Sequence, residues 1–219
     1  MTKFAIRKNL MRGCTLVVLT SVAAVTLSTS QAKAVVINFD DLSSGSPIPN
    51  GYQGFNWDNF YTLSGSQYVP SGYNNGTVSN PNVAYNAYGF PASVSINNSQ
   101  FDFNSAYLTS AWNNGLNIVV EGFLNGVTKY SQTVTVDSTS ATLFNFNFLG
   151  IDNLRFTSFG GINAGYFGSG EHFALDNFTY NQSANVPEPV TILGTLTAAG
   201  FGVILRRKQK QQQKAIAKA

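Results

Sequence analysis

Three carboxylates and a file of aromatic side chains are the residues of this 219-residue chain best suited to chemistry. Asp40 and Asp41 follow Val36-Ile37-Asn38-Phe39, and Asp176 lies within Phe173-Ala174-Leu175-Asp176-Asn177-Phe178. If the strands that carry them run side by side, their oxygens and neighbouring carbonyls suit Ca²⁺, a hard cation that takes about six to eight oxygen ligands. A structural Ca²⁺ held by Asp40, Asp41 and Asp176 is therefore the candidate cofactor. The competing reading has each aspartate capping a turn.

The aromatic file runs through Tyr52, Phe55, Trp57, Phe60, Tyr61, Tyr68, Tyr73, Tyr85 and Tyr88, interleaved with Asn, Ser and Gly. Trp112-Asn113-Asn114-Gly115 repeats that character at an expected turn. Aromatic faces stack on the C–H faces of sugars while amides hydrogen-bond at the sugar's edges. Tyr73, Tyr85, Tyr88 and Trp112 are the candidate glycan-binding residues. Phe55, Trp57 and Phe60 read as core.

Catalytic constellations are harder to assemble. His172 is the single histidine, which excludes a three-histidine metal site. A Ser–His–Asp set would have to use it, and no Gly-x-Ser-x-Gly elbow marks a nucleophile. A glycosidase needs only two carboxylates about 5–10 Å apart, but nothing in the spacing selects a pair. The Gly-rich stretch 160–170 lacks the Lys-Ser/Thr and following helix of a phosphate loop. No catalytic residue is assigned, and the domain reads as noncatalytic.

The elements that must position these residues are β-strands. Only 11% of residues are charged, with Gly, Asn, Ser, Thr and Tyr in their place. Apolar–polar alternation marks strands near 36–40, 93–98, 101–112, 117–124, 127–136, Phe144–Phe148, from Leu154, and Phe173–Tyr180. Short strands are also expected around Phe55–Leu63, inside a loop-rich stretch from Leu42 to Gly89. Asn125-Gly126 signals a two-residue hairpin, because both positions need positive φ. Seven or eight short strands predict an all-β domain, an antiparallel β-sandwich with the jelly roll as its variant.

The net charge of +3 sums three unlike regions. Residues 35–185 hold two bases, Lys129 and Arg155, against nine acids, a net of −7. A domain of that charge repels phosphate backbones, so nucleic acid is excluded as a partner. The basic ends flank two apolar segments instead. Lys3, Arg7, Lys8 and Arg12 precede Cys14–Leu27, which are uncharged, and Ala32-Lys33-Ala34 follows. That is the order of a secretory signal peptide over residues 1–34, with Ala32 and Ala34 marking cleavage. The fourteen apolar residues reach about 21 Å at about 1.5 Å each, short of a hydrocarbon core of about 30 Å. Cys14, the single cysteine, falls within this segment, so residues 35–185 form no disulfide.

At the other end, Val186-Pro187-Glu188-Pro189 follows a short polar linker. Uncharged Val190–Leu205 comes next, then Arg206-Arg207-Lys208. The prolines hold an extended segment. The apolar run suits a single transmembrane helix, and the basic cluster resists translocation. This arrangement resembles the PEP-CTERM sorting signal, over residues 186–210, with a polar basic tail at 211–219. The resemblance implies recognition of the Pro-Glu-Pro segment by an exosortase, a membrane protease or transpeptidase. It also implies a two-membrane bacterial host that makes exopolysaccharide. The opening Ile37–Leu42 and closing Phe173–Phe178 stretches are similar to exported domains that precede such signals.

The expected protein is exported by the secretion machinery, trimmed by signal peptidase and held transiently in the inner membrane. It is then sorted to the cell surface or matrix, where its domain, 35–185, associates with surface polysaccharide. One alternative is a structural or adhesive coat protein without a specific ligand. The other is a glycoside-active secreted enzyme.

Overall fold

The structure, a computed structural model, describes residues 34–182. Fourteen strands carry this part of the chain: β1 (Val35–Ile37), β2 (Ser46–Pro47), β3 (Asn56–Asp58), β4 (Phe60–Ser64), β5 (Asn82–Asn86), β6 (Ala92–Ser95) and β7 (Phe101–Ser110), then β8 (Asn113–Asn114), β9 (Leu116–Leu124), β10 (Val127–Val136), β11 (Thr142–Ile151), β12 (Asn153–Phe159), β13 (Ile162–Asn163) and β14 (Phe173–Gln182). One α-helical turn, α1 (Gly72–Asn75), and three short 3-10 turns at Tyr52–Gly54, Gly65–Gln67 and Ala87–Gly89 interrupt them.

The strands form two antiparallel sheets. The larger runs β11-β7-β14-β5-β4-β2, with β1 also paired to β14. The smaller runs β10-β9-β12-β6-β3, and β8 with β13 makes a separate ribbon. Alternation decides what each strand buries. In β4, Phe60 and Thr62 point inward while Tyr61 and Leu63 point outward. In β12, Leu154 and Phe156 point inward while Asn153 and Arg155 point outward. The inward residues of both sheets merge in one core rich in phenylalanine. Phe103 lies at its centre, stacked on Phe146 at 4.9 Å and on Phe178 at 4.8 Å. Offset ring pairs of this kind add about 0.5–1.5 kcal/mol beyond the area they bury.

The expected β-sandwich is what forms, with more strands than alternation alone marks. The additional ones are β2 and β5 in the loop-rich stretch from Leu42 to Gly89 and β8 and β13 beyond it, and β2, β8 and β13 have only two residues each. So few residues carry no readable period. The Asn125-Gly126 hairpin is as expected, with φ of 53° and 77° and Leu124 paired to Val127. Phe55, Trp57 and Phe60 are core residues, as expected.

Two registers fix the long axis. Val35 pairs Tyr180, and Gln182 pairs Phe101, so residues 35 and 182 lie toward one end of the sandwich. Phe173 pairs Ser110, and Phe159 pairs Asn117, at the opposite end. The ten residues of β14 separate these ends by about 30 Å at roughly 3.3 Å each.

Among the described residues, no helix is long and apolar enough to cross a membrane. Ala34 is exposed where the described chain starts. Ala32, Val186–Pro189, the apolar run 190–205 and Arg206–Lys208 lie outside the described residues.

Candidate functional site

Tyr61 and Tyr85 are the foundation of the site. They are directly opposed across β4 and β5, with ring centroids 6.0 Å apart on the outer face of the larger sheet. Ala174 of β14 stands opposite Tyr85, and its small side chain leaves room beside that ring. Leu63, Val83 and Ala174 form a second apolar cluster there, outside the main core.

The segment between β4 and β5 folds back over this face. Tyr73 of α1 enters the cluster with its ring 5.4 Å from Tyr85, 5.3 Å from Trp112 and 5.7 Å from Tyr68. Ser71 caps the turn by accepting the N–H of Asn74. The Gly72 N–H donates to the Ala111 carbonyl at 2.9 Å. A Cβ at Gly72 would overlap the Ser110 carbonyl, so only glycine permits this approach.

Asp176 fastens the same segment. Its carboxylate is fully buried at 0% exposure. Oδ2 accepts the N–H groups of Val78 at 2.7 Å and Ser79 at 2.8 Å. Oδ1 accepts the Ser79 hydroxyl at 2.9 Å and the Asn177 N–H at 2.7 Å. Burial raises the pKa of this carboxyl, and the four hydrogen bonds oppose the rise.

Tyr88 occupies a left-handed turn position at φ 58° and is 72% exposed. Its ring stands 6.5 Å from Tyr61 and 6.2 Å from Phe90, itself 63% exposed. Beneath that turn, buried Asn86 ties three elements together. Its Nδ2 donates to the Phe90 carbonyl at 3.1 Å, the Ser158 hydroxyl at 3.2 Å and the Glu171 carbonyl at 3.3 Å. Its Oδ1 accepts the Phe173 N–H at 2.8 Å. A turn so anchored presents exposed rings on a rigid base.

Trp112 closes the file at the other side. Gly168 lies flat on its indole, with no room for a Cβ. Phe167, on the same loop, is 86% exposed. His172 stands 6.5 Å from Tyr85, and burial lowers its pKa below the ordinary value, leaving a neutral ring. Burial also raises the phenols of Tyr73 and Tyr85, so both remain neutral hydrogen-bonding groups.

The four candidate residues therefore share one continuous aromatic surface. Tyr73 is the correction within it. At 3% exposure it supports Tyr85 and Trp112 from below and has no face free to stack on a ligand. Tyr61, Tyr68, Phe90 and His172 join the surface without having been singled out. The signal for Tyr61 was present, since it alternates with inward Phe60 and Thr62.

The carboxylates do not assemble as expected. The first and last strands do pair, but each aspartate has its own protein partner. Asp40 accepts the Asn82 N–H at 3.0 Å, and Asp41 accepts the Tyr52 hydroxyl at 2.6 Å. Asp176 is turned onto Val78 and Ser79. Among the described residues, no group of three His, Cys, Asp or Glu side chains stands close enough to hold a metal ion. The remaining acids mostly serve turns: Asp102, Asp137, Asp152 and Glu171 accept backbone N–H groups of Gly150, Gly115, Asn125 and Gly160.

No family model matches the sequence, and no curated protein matches it. Among solved structures, the chain is similar to an arabinose-bound GH51 α-L-arabinofuranosidase, with TM-score 0.43 and 12% identity. That match covers 68% of this chain, which spans only 26% of the arabinofuranosidase. A CBM61 bound to β-1,4-galactotriose gives TM-score 0.33 at 8% identity, covering 62% of this chain and 95% of that one. A CBM4 structure gives 0.31 at 12%, covering 57% and 88%. Likeness of this degree leaves the site to be read from its own side chains.

Proposed function

We propose that this is an exported surface protein whose domain binds glycan through the aromatic surface of its larger sheet. The observation that carries the reading is the continuous file Trp112–Tyr73–Tyr85–Tyr61–Tyr88, ending in exposed rings on an anchored turn. Sugar rings suit it because they offer apolar C–H faces to aromatics and hydroxyls to neighbouring polar groups. The net charge of −7 over residues 35–185 favours neutral over anionic glycans.

Sorting completes the proposal. The Pro-Glu-Pro segment, apolar run and basic cluster support processing by an exosortase-type enzyme after export through the inner membrane. Residues 35 and 182 leave the sandwich at the end opposite Tyr88 and Phe90. A tether at 183 and beyond would therefore hold the exposed rings outward.

Two measurements test this. The full chain is expressed in a host that has an exosortase, and the product's intact mass and cell fraction are determined. A species from Val35 to near Pro187–Pro189, outside the inner membrane, is the expected result. Retention of 190–219 in the inner membrane would make the tail a plain anchor. The same product is applied to a glycan array, where an array without any hit would remove the binding claim.

A further inference from the structure

We propose a second saccharide site on the opposite side of the domain: a groove on the outer face of the five-stranded sheet, built for a neutral glycan chain. It shares only its ligand class with the aromatic surface described above. A cavity of about 530 Å³ lies there, lined by Ser93, Ser95, Phe123, Asn153 and Arg155 among others.

Strand register makes this lining a pattern. Asn153 pairs both Ser95 and Phe123, and Arg155 pairs both Ser93 and Glu121. Two parallel rows therefore cross β6, β12 and β9. The first offers a hydroxyl, an amide and an aromatic face. The second offers a hydroxyl, a guanidinium and a carboxylate. Neighbouring strands stand about 4.8 Å apart, close to the length of one pyranose ring along a glycan. A chain laid across the strands would meet one side chain per sugar in each row, with Phe123 the one apolar contact.

The groups are held ready. Arg155 donates from Nε at 3.2 Å and Nη2 at 2.7 Å to Glu121 Oε2, and its guanidinium lies 5.1 Å from the Phe123 ring centre. That leaves guanidinium N–H donors beside a free carboxylate oxygen. A vicinal diol, which donates and accepts, matches the pair. The charges select neutral ligands: Glu121 already neutralises Arg155, and Asp152 adds a carboxylate to the lining. With sites on opposite faces, one molecule can bridge two glycan strands and gain avidity from both.

The test uses the full chain in detergent, titrated calorimetrically with cellohexaose, laminarihexaose, mannohexaose and hexagalacturonate. Two variants are compared with wild type: Ser95→Ala/Asn153→Ala in the groove and Tyr88→Ala/Phe90→Ala on the aromatic surface. Phe123→Leu, which keeps apolar bulk and removes the ring face, is a second groove variant. A neutral hexasaccharide should bind, and both groove variants should weaken it at least about tenfold with unfolding midpoints near wild type. Hexagalacturonate should bind more weakly than the neutral sugars. Neutral binding untouched by the groove variants and lost in Tyr88→Ala/Phe90→Ala would overturn the groove and leave the aromatic site standing. Binding lost only in the groove variants would do the reverse. Absence of binding to every neutral sugar would overturn the groove outright.

Discussion

The ring of Tyr73 meets the indole of Trp112 edge-on, with centroids 5.3 Å apart and planes at 86°. One residue sits on a single helical turn and the other in the bend after β7, so the contact joins segments 39 positions apart. It divides the aromatic surface into a buried support and an exposed contact face. That division governs what each substitution should do.

Tyr73→Ala should unfold the cluster. Removing a large buried ring costs about 3–5 kcal/mol. Tyr88→Ala, at 72% exposure, should change stability by less than about 0.5 kcal/mol. It should nevertheless weaken glycan binding about tenfold, as loss of one stacking ring would. Urea unfolding and binding titrations on both variants separate the roles. Equal destabilisation by the two would contradict the division.

Gly168→Ala should disturb Trp112 without touching the core. The added Cβ would overlap the indole, so either the loop lifts or the indole turns. With Trp57 buried in the core, a red shift in tryptophan emission would report Trp112 becoming wetter. Unchanged emission would show that the loop does not cover the indole.

Asp176→Ala should release the segment over the larger sheet. The N–H groups of Val78, Ser79 and Asn177 would lose their acceptor, at about 1–3 kcal/mol for each left buried and unpaired. Limited proteolysis should cut residues 65–81 faster than in wild type. A cleavage pattern like wild type would mean the segment is held elsewhere.

The same carboxyl gives a pH dependence with a definite sign. Burial raises its folded pKa above the unfolded value. Its contribution to stability is then full below about pH 4, the ordinary carboxylate value, and is lost as pH rises through the folded pKa. Asp176→Asn removes the titration and keeps one acceptor oxygen. The stability of wild type minus that of Asp176→Asn should fall as pH rises from about 4 toward neutrality. A difference that is flat or rises across urea titrations at several pH values would contradict this.

The long strands were legible in the sequence because apolar and polar residues alternate along them, and in β9 burial follows that alternation over most of the strand. The Asn125-Gly126 turn was legible because few other pairs accept two positive φ values. The covering segment was not. Its position depends on Asp176, which bonds Val78 across 98 positions, and local pattern carries no trace of such a contact. The calcium expectation failed for a related reason. Pairing of the first and last strands was foreseeable, but the direction of Asp176 was set by backbone N–H groups from another part of the chain. Tyr73 was misjudged because its four-residue helix is too short for periodicity to show which side faces inward. The groove rows needed strand order as well as alternation, since Ser95, Asn153 and Phe123 become neighbours only across three strands.

The central claim, that exposed rings on the larger sheet bind glycan, is tested most directly by affinity electrophoresis. The full-length chain and its Tyr88→Ala/Phe90→Ala variant would be run in native detergent gels with and without a neutral polysaccharide cast into the matrix. The wild-type band should be retarded by the polysaccharide, and the variant, equally folded, should be retarded less. Equal retardation of the two, or no retardation of wild type in any neutral polysaccharide, would contradict the claim.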